Sequence, residues 1–275
     1  MKLKPLINFI RAREQLRTRR EDNQTPWTKD PILSRFHFCN IDREHDRITK
    51  WVDANVRTKY KMPDLLTQLV ASRIFNDPDV LADILPIRTE AGLYRALIRR
   101  QRQGLKIFRG AYMMTTSGVS IPSALAFSRV VGRVKAARVP NTDRLEDVAS
   151  FLQTFRGIGP FLANQVCTDL RYIPGGRYRW VDWRTFVLAG PGTRRGLNRL
   201  HGRPVRQGQT QKSVYKELMA LREYLHEEFG EVFNDPNNVA NSLCEFDKYQ
   251  RAKDQIAAGE PMRLKRIFQP YNPTP

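Results

Sequence analysis

Residues 241–251 read NSLCEFDKYQR. On a helix Ser242, Glu245 and Lys248 share one face, Tyr249 lies one turn on from Glu245, and Leu243 and Phe246 cover an apolar side. A carboxylate beside an ammonium in a partly buried cleft can accept a proton from an incoming amine. The same spacing also fits an exposed ion pair worth under about 1 kcal/mol. A second group stands at 188–200, LAGPGTRRGLNRL. Here Gly190-Pro191-Gly192 is expected to hold off a helix until Thr193, with Arg194, Arg195 and Arg199 clustered just beyond. Free amides at a helix start and guanidinium forks give convergent donors to a phosphate or pyrophosphate. A basic loop touching nucleic-acid backbone fits these residues as well. The Gly-Lys-Ser/Thr ending of a Walker A loop is absent, which disfavours nucleoside triphosphate hydrolysis.

A third group lies at 151–170, FLQTFRGIGPFLANQVCTDL. Two glycines flanking Ile158 let the chain turn sharply while the isoleucine stays in the core, and Pro160 opens the next helix. Arg156, Gly157 and Gly159 then present cationic and amide donors to a DNA phosphate, the pattern of a helix-hairpin-helix. A plain helix–helix corner capped by glycine remains the alternative. Arg43, Glu44, Asp46 and Arg47 read as a solvated helix face. Cys244 is a nucleophile only if exposed; in apolar surroundings it is inert.

The elements that position these groups are helical. Periodicity predicts helices over 6–20, 40–57 with Asn40 or Asp42 as cap, 64–75 behind Pro63, 90–103 stopped by Gly104, 122–137, 144–155, 210–229 and 237–255. Residues 105–117 are expected to form a short β-ribbon. The expected architecture is mainly α: a single helical domain over 1–257, divisible into two lobes, with a basic, Pro-containing tail at 258–275.

The chain has 275 residues with 47 Lys plus Arg against 28 Asp plus Glu, a formal charge of +19. That balance points to a polyanionic partner and away from a free-standing enzyme of neutral metabolites. Apolar runs are too short for a transmembrane helix, and the basic residues are spread along the chain, which argues against a membrane surface. Three widely spaced cysteines suit a reducing compartment and neither a disulfide framework nor a four-ligand zinc site.

The hairpin resembles that of helix-hairpin-helix DNA glycosylases. The slot that holds their Schiff-base lysine carries Phe161, and the slot of their catalytic aspartate carries Asp182 within Trp180-Val181-Asp182-Trp183. A wider resemblance covers roughly residues 7–252. Pro26-Trp27-Thr28-Lys29-Asp30-Pro31, Arg35-Phe36 with Asn40, Arg43-Glu44 and Asp46-Arg47, the hairpin running into Asp169-Leu170, Gly190 to Gly196, and Leu243 to Tyr249 occur in order. Together they resemble the phage α-glutamyl/putrescinyl thymine pyrophosphorylases, the amino acid:DNA transferases related to the helical domain of 5-hydroxymethyluracil DNA kinases. The resemblance implies a helix-hairpin-helix, glycosylase-like helical fold. It also implies replacement of pyrophosphate on 5-pyrophosphoryloxymethyluracil in double-stranded phage DNA by the amine of an amino acid or polyamine, in the cytoplasm of an infected bacterium. On charge and geometry, Gly190, Gly192, Arg194 and Arg195, assisted by Arg43 and Arg47, are expected to take the pyrophosphate. Glu245 or Asp182 would orient or deprotonate the amine, Lys248 would pair with Glu245 or a phosphate, and Asp169 is a further candidate. No metal ligands are assigned, and a divalent ion accompanying the pyrophosphate is compatible with the chemistry. A glycosylase using Asp182 and a non-catalytic DNA-binding module are the competing readings.

Overall fold

The computed structural model describes residues 1–107, 122–173 and 180–261. Its helices are α1 (Lys4–Glu21), α2 (Arg47–Val52), α3 (Asp64–Phe75), α4 (Pro78–Ile84), α5 (Glu90–Arg102), α6 (Ser123–Ala136), α7 (Leu145–Gln153), α8 (Pro160–Arg171), α9 (Pro191–Leu200), α10 (Gln211–Phe229) and α11 (Pro236–Ala257). The described residues contain no strand, so the mainly α expectation holds. From residue 108 onward the expected ribbon at 105–117 lies outside the described residues, as does the tail beyond 261.

The chain divides into two compact units. The first joins Met1–Asp46 to Ala189–Pro275, and the second is the intervening Arg47–Leu188. In the first unit the 22-residue α11 is the central helix, and α1, α9 and α10 each pack against it. Helix α1 offers Leu6, Phe9, Ile10, Arg13 and Leu16 as its buried stripe, at the spacing one helix face requires. Phe9 meets Phe38, Phe246 and Tyr249 with ring centroids 5.2–6.2 Å apart. The tightest crossing is α9 on α11. A Cβ on Gly192 would stand 2.3 Å from Cys244 Sγ, and one on Gly196 would stand 2.4 Å from the Leu243 carbonyl oxygen. These glycines let two backbones approach. Pro191 occupies the first turn of α9 with Gly190 as cap, so the helix begins earlier than the expected Thr193. Proline's missing N–H costs nothing at a position where that donor has no helical partner.

In the second unit α3 is central: every residue from Leu65 to Phe75 is buried, the mark of a helix enclosed on all sides. Helices α6 and α8 flank it, α5 lies beside α6, and α7 pairs with α8. Helix α4, for which apolar spacing gives no expectation, is a two-turn segment set by Pro78 and by Asp77, whose carboxylate accepts the Asp79 N–H at 3.2 Å.

The helix expected over 40–57 is three pieces: a 3-10 turn at Arg43–His45, then α2, then a π turn at Asp53–Arg57. The break at Asp46 (φ −68°, ψ 138°) has a local cause. Asp46 accepts the Asn40 N–H at 3.0 Å and the Arg43 guanidinium at 3.0 Å, while Asp42 accepts the Glu44 N–H. Aspartates that bond nearby backbone offer it an alternative to the helical ladder. Among the described residues no helix is long and apolar enough to cross a membrane.

Candidate active site

Four of the five sequence motifs fall in the first unit, where the Pro26–Pro31 entry and the Arg35–Asp46 segment meet the Leu243–Tyr249 motif on one face of α11. Asp30, at the end of the Pro26–Pro31 entry, accepts the Ile32 and Leu33 N–H groups through Oδ1 and the Tyr249 hydroxyl at 2.5 Å through Oδ2. Burial and the Asp30 carboxylate push the Tyr249 phenol above its usual range, so it serves as a neutral donor. This pins the turn against α11, and segment 36–42 follows it.

That segment is held from both sides. From α1, Arg13 donates to the carbonyls of Cys39 and Phe38, each at 3.1 Å, and to Asn40 Oδ1 at 2.5 Å. Burial lowers the Arg13 guanidinium, but Cys39, Glu14, Asp46 and Glu245 oppose the shift and the group keeps its charge. From α11, Asn238 accepts the Arg43 N–H at 3.2 Å, and Asn241 accepts from Arg43 Nη1 at 3.3 Å while donating to the Asn40 carbonyl at 3.0 Å. Glu245 Oε2 accepts the Cys39 N–H at 3.1 Å and the Lys248 ammonium at 3.2 Å. Lys248 also donates to the His37 carbonyl and sits 4.5 Å over the Phe38 ring.

Glu245 is 8 % exposed. Its Oε2 carries two bonds, whereas Oε1 has no protein partner and is not sealed from solvent. A carboxylate anchored through one oxygen and open at the other can hold an ammonium or accept its proton. Glu245 and Lys248 pair at the expected spacing and Asn238 and Asn241 bond the same segment, whereas Ser242 is fully buried and its hydroxyl has no partner. Cys39 and Cys244 do not add a nucleophile, because desolvation and the Glu245 charge push their thiols up to about 12 and about 11.

The other expected residues divide sharply. Arg195 donates from Nε to Asp247 at 2.7 Å, and Arg199 does so at 2.9 Å. Asp247 stands two residues from Glu245, about 200° around the helix, so these arginines lie on the far side of α11 from Glu245. Arg194 turns to other partners, the Gln209 carbonyl at 2.8 Å and the Gln211 side chain. The Arg194–Arg195 pair thus does not converge, and the space in front of Gly192 is filled by Cys244. An added Cβ on Gly190, by contrast, meets no protein atom within 4 Å. Arg43 is buried in the Asn40–Asp46 network, and Arg47 is an exposed residue of the second unit.

In the second unit Asp182 is 5 % exposed and accepts the Leu145 N–H at 2.8 Å and the Glu146 N–H at 3.0 Å, one on each oxygen. It caps the start of α7, whereas the glycine turn follows the end of α7, so the two candidates occupy opposite ends of that helix. Asp169 is fully buried, with both oxygens on Arg73. Structural bonds use up both carboxylates. In the turn, Gly157 adopts φ +103° and Ile158 is buried, as expected. An added Cβ on Gly159 would meet nothing within 4 Å. That glycine leaves room for approach from outside.

Arg13, Asn238 and Asn241 are the site residues that motif spacing missed. A signal for Arg13 existed: it is the one charged residue on the Leu6–Phe9–Ile10–Leu16 stripe of α1. Among the described residues no group of three or more His, Cys, Asp or Glu side chains could hold a metal ion.

A family described as "5-hmdU DNA kinase, helical domain" matches residues 2–258. A "5-hmdU DNA kinase" of Bacillus phage SP10 is 27% identical over 221 residues, covering 70% of this chain and 34% of that protein. The chain therefore corresponds to about a third of the relative's length. No solved structure matches. With all five motifs inside the matched residues, the chain belongs to the 5-hmdU DNA kinase helical-domain family.

Proposed function

We propose that the chain is an amino acid:DNA transferase acting on thymine hypermodified in phage DNA. It would replace the pyrophosphate of a 5-pyrophosphoryloxymethyluracil base with an amine. The observation that carries this reading is the open Oε1 of Glu245 beside Lys248, where three motifs meet. Family membership supports a role in modification of 5-hydroxymethyluracil-type bases. The chain's 275 residues hold no Walker A sequence, so the reading assigns them the displacement rather than phosphoryl transfer from a nucleotide.

The step balances simply. The amine nitrogen forms a bond to the exocyclic CH₂, the C–O bond breaks, and pyrophosphate departs with that electron pair. The amine's extra proton passes to Glu245 Oε1 and on to solvent. The conjugated ring activates the CH₂, so the protein must supply positioning, a base and a cation for the leaving group. Glu245 serves as base and ammonium anchor. Lys248, free to exchange the His37 carbonyl for an anion, neutralises departing diphosphate. Arg13 and Arg43 hold segment 37–46 in register and keep the surroundings cationic. The glycine turn at Gly157 and Gly159, with Arg156, holds DNA backbone, and the target base is turned out of the duplex to be reached.

The test is mass spectrometry of nucleosides from DNA bearing the pyrophosphorylated base, after incubation with the protein and mixed amino acids and putrescine. The expected result is a thymidine derivative heavier by one amine residue, with free pyrophosphate released in equal amount. Release of the free base would establish a glycosylase instead. Unchanged DNA with every amine would leave a binding module.

A further inference from the structure

We propose that the exposed faces of α5 and α6 form a second DNA-backbone site, an arginine ridge distinct from the glycine turn. The proposal rests on the reading of DNA as substrate. Arg95, Arg99 and Arg102 recur at i, i+4 and i+7 on α5, opposite its buried Leu93, Ala96 and Leu97. Arg129 and Arg133 recur at i, i+4 on α6, opposite buried Val130, Val131 and Val134. All five are exposed, and the two helices lie side by side, with the Glu90 side chain of α5 packed where Gly132 of α6 has no Cβ.

Among the described residues none of these five guanidinium groups makes a hydrogen bond, ion pair or ring contact. Of the acidic groups nearby, Asp83 pairs with Arg100 and Asp64 with Lys135, and Glu90 packs at Gly132 without bonding any of the five. Like charges one turn apart on a helix repel one another modestly, and a helix surface is usually decorated with compensating carboxylates. Arginine is also the side chain whose planar fork best matches a phosphate. The span from Arg95 to Arg102 is about 10 Å of helix axis, enough to follow several successive phosphates of one strand. The partner that fits is a duplex backbone gripped without regard to sequence, which suits an enzyme that finds its target by the base modification.

The experiment is fluorescence anisotropy of a labelled duplex of about 25 base pairs, titrated at 50–300 mM salt. The proteins compared are wild type, R95Q/R99Q/R102Q, R129Q/R133Q and, as a control of equal charge loss in the first unit, R206Q/K212Q/K216Q. Glutamine keeps helix propensity, so melting temperatures should stay together. Each lost phosphate contact should make the slope of log K against log salt shallower by about 0.9. The expected result is a slope shallower by roughly 2–3 for the α5 variant and roughly 2 for the α6 variant, with the control within about 1 of wild type. Wild-type slopes in both ridge variants, or an equal change in the control, would overturn the ridge. Adduct formation at low salt, where DNA is saturating, reports the transferase reading separately and should persist in all four proteins.

Discussion

Asp182 and Glu245 are both buried carboxylates at motif positions, one in each unit, and they differ in what remains open. Asp182 has an N–H on each oxygen and so holds the first turn of α7 in place. Glu245 has both of its bonds on Oε2 and a free Oε1. Spacing and burial do not separate a structural carboxylate from a chemical one; the saturation of its lone pairs does. The units differ in charge as well: residues 47–188 carry 23 Lys plus Arg against 11 Asp plus Glu, and the remainder carries 24 against 17. The more basic unit holds the glycine turn and the arginine ridge, while the less basic unit holds the open carboxylate. On the proposed function, the first of these would grip DNA and the second would do the chemistry.

The largest effect that would sharpen this contrast is on stability. Asp169→Ala strands the fully buried Arg73 charge and should cost about 3–5 kcal/mol, read from the denaturant midpoint of unfolding. Glycines give the next comparison. Gly196→Ala drives a methyl into the Leu243 carbonyl and should cost about 1–3 kcal/mol. Gly159→Ala meets open space and should change stability by under about 0.5 kcal/mol. That same change should weaken duplex binding in the anisotropy assay. If Gly159→Ala left DNA affinity untouched, the turn would be an ordinary corner.

The smallest effect concerns the thiols. Cys167, like Cys39, is pushed up to about 12 by burial, and Cys244 to about 11. In the unfolded chain thiols ionise near pH 8.5. A raised folded value means that stability is fully present below that pH and declines as pH rises above it, since only the unfolded chain gains thiolates. Native protein at pH 8 should therefore resist iodoacetamide, with rapid labelling only in denaturant. Fast labelling of Cys244 in the native state would reopen it as a nucleophile.

Much of this was legible in the sequence, for identifiable reasons. Pro63 and a continuous apolar pattern define α3 at its observed bounds, and one-turn spacing places Glu245 and Lys248 together. What was hidden depended on side chains reaching across the fold. Asp46 breaks a helix that periodicity would have continued, because its carboxylate is taken by Asn40 and Arg43. Gly192 looks like a phosphate cradle until Cys244 is seen to fill the space, and Arg195 looks paired with Arg194 until Asp247 claims it. In each case the residue type is compatible with two partners, and only tertiary packing selects one.

The most direct measurement is the single-turnover rate of amine transfer to pyrophosphorylated-base DNA by Glu245→Gln and by Asp182→Asn. Loss of a positioned general base lowers such rates by about 10²–10⁴-fold. The account predicts a loss of that size for Glu245→Gln at unchanged melting temperature, and a rate within a few-fold of wild type for folded Asp182→Asn. The reverse pattern, with Glu245→Gln active and Asp182→Asn inactive though folded, would contradict it.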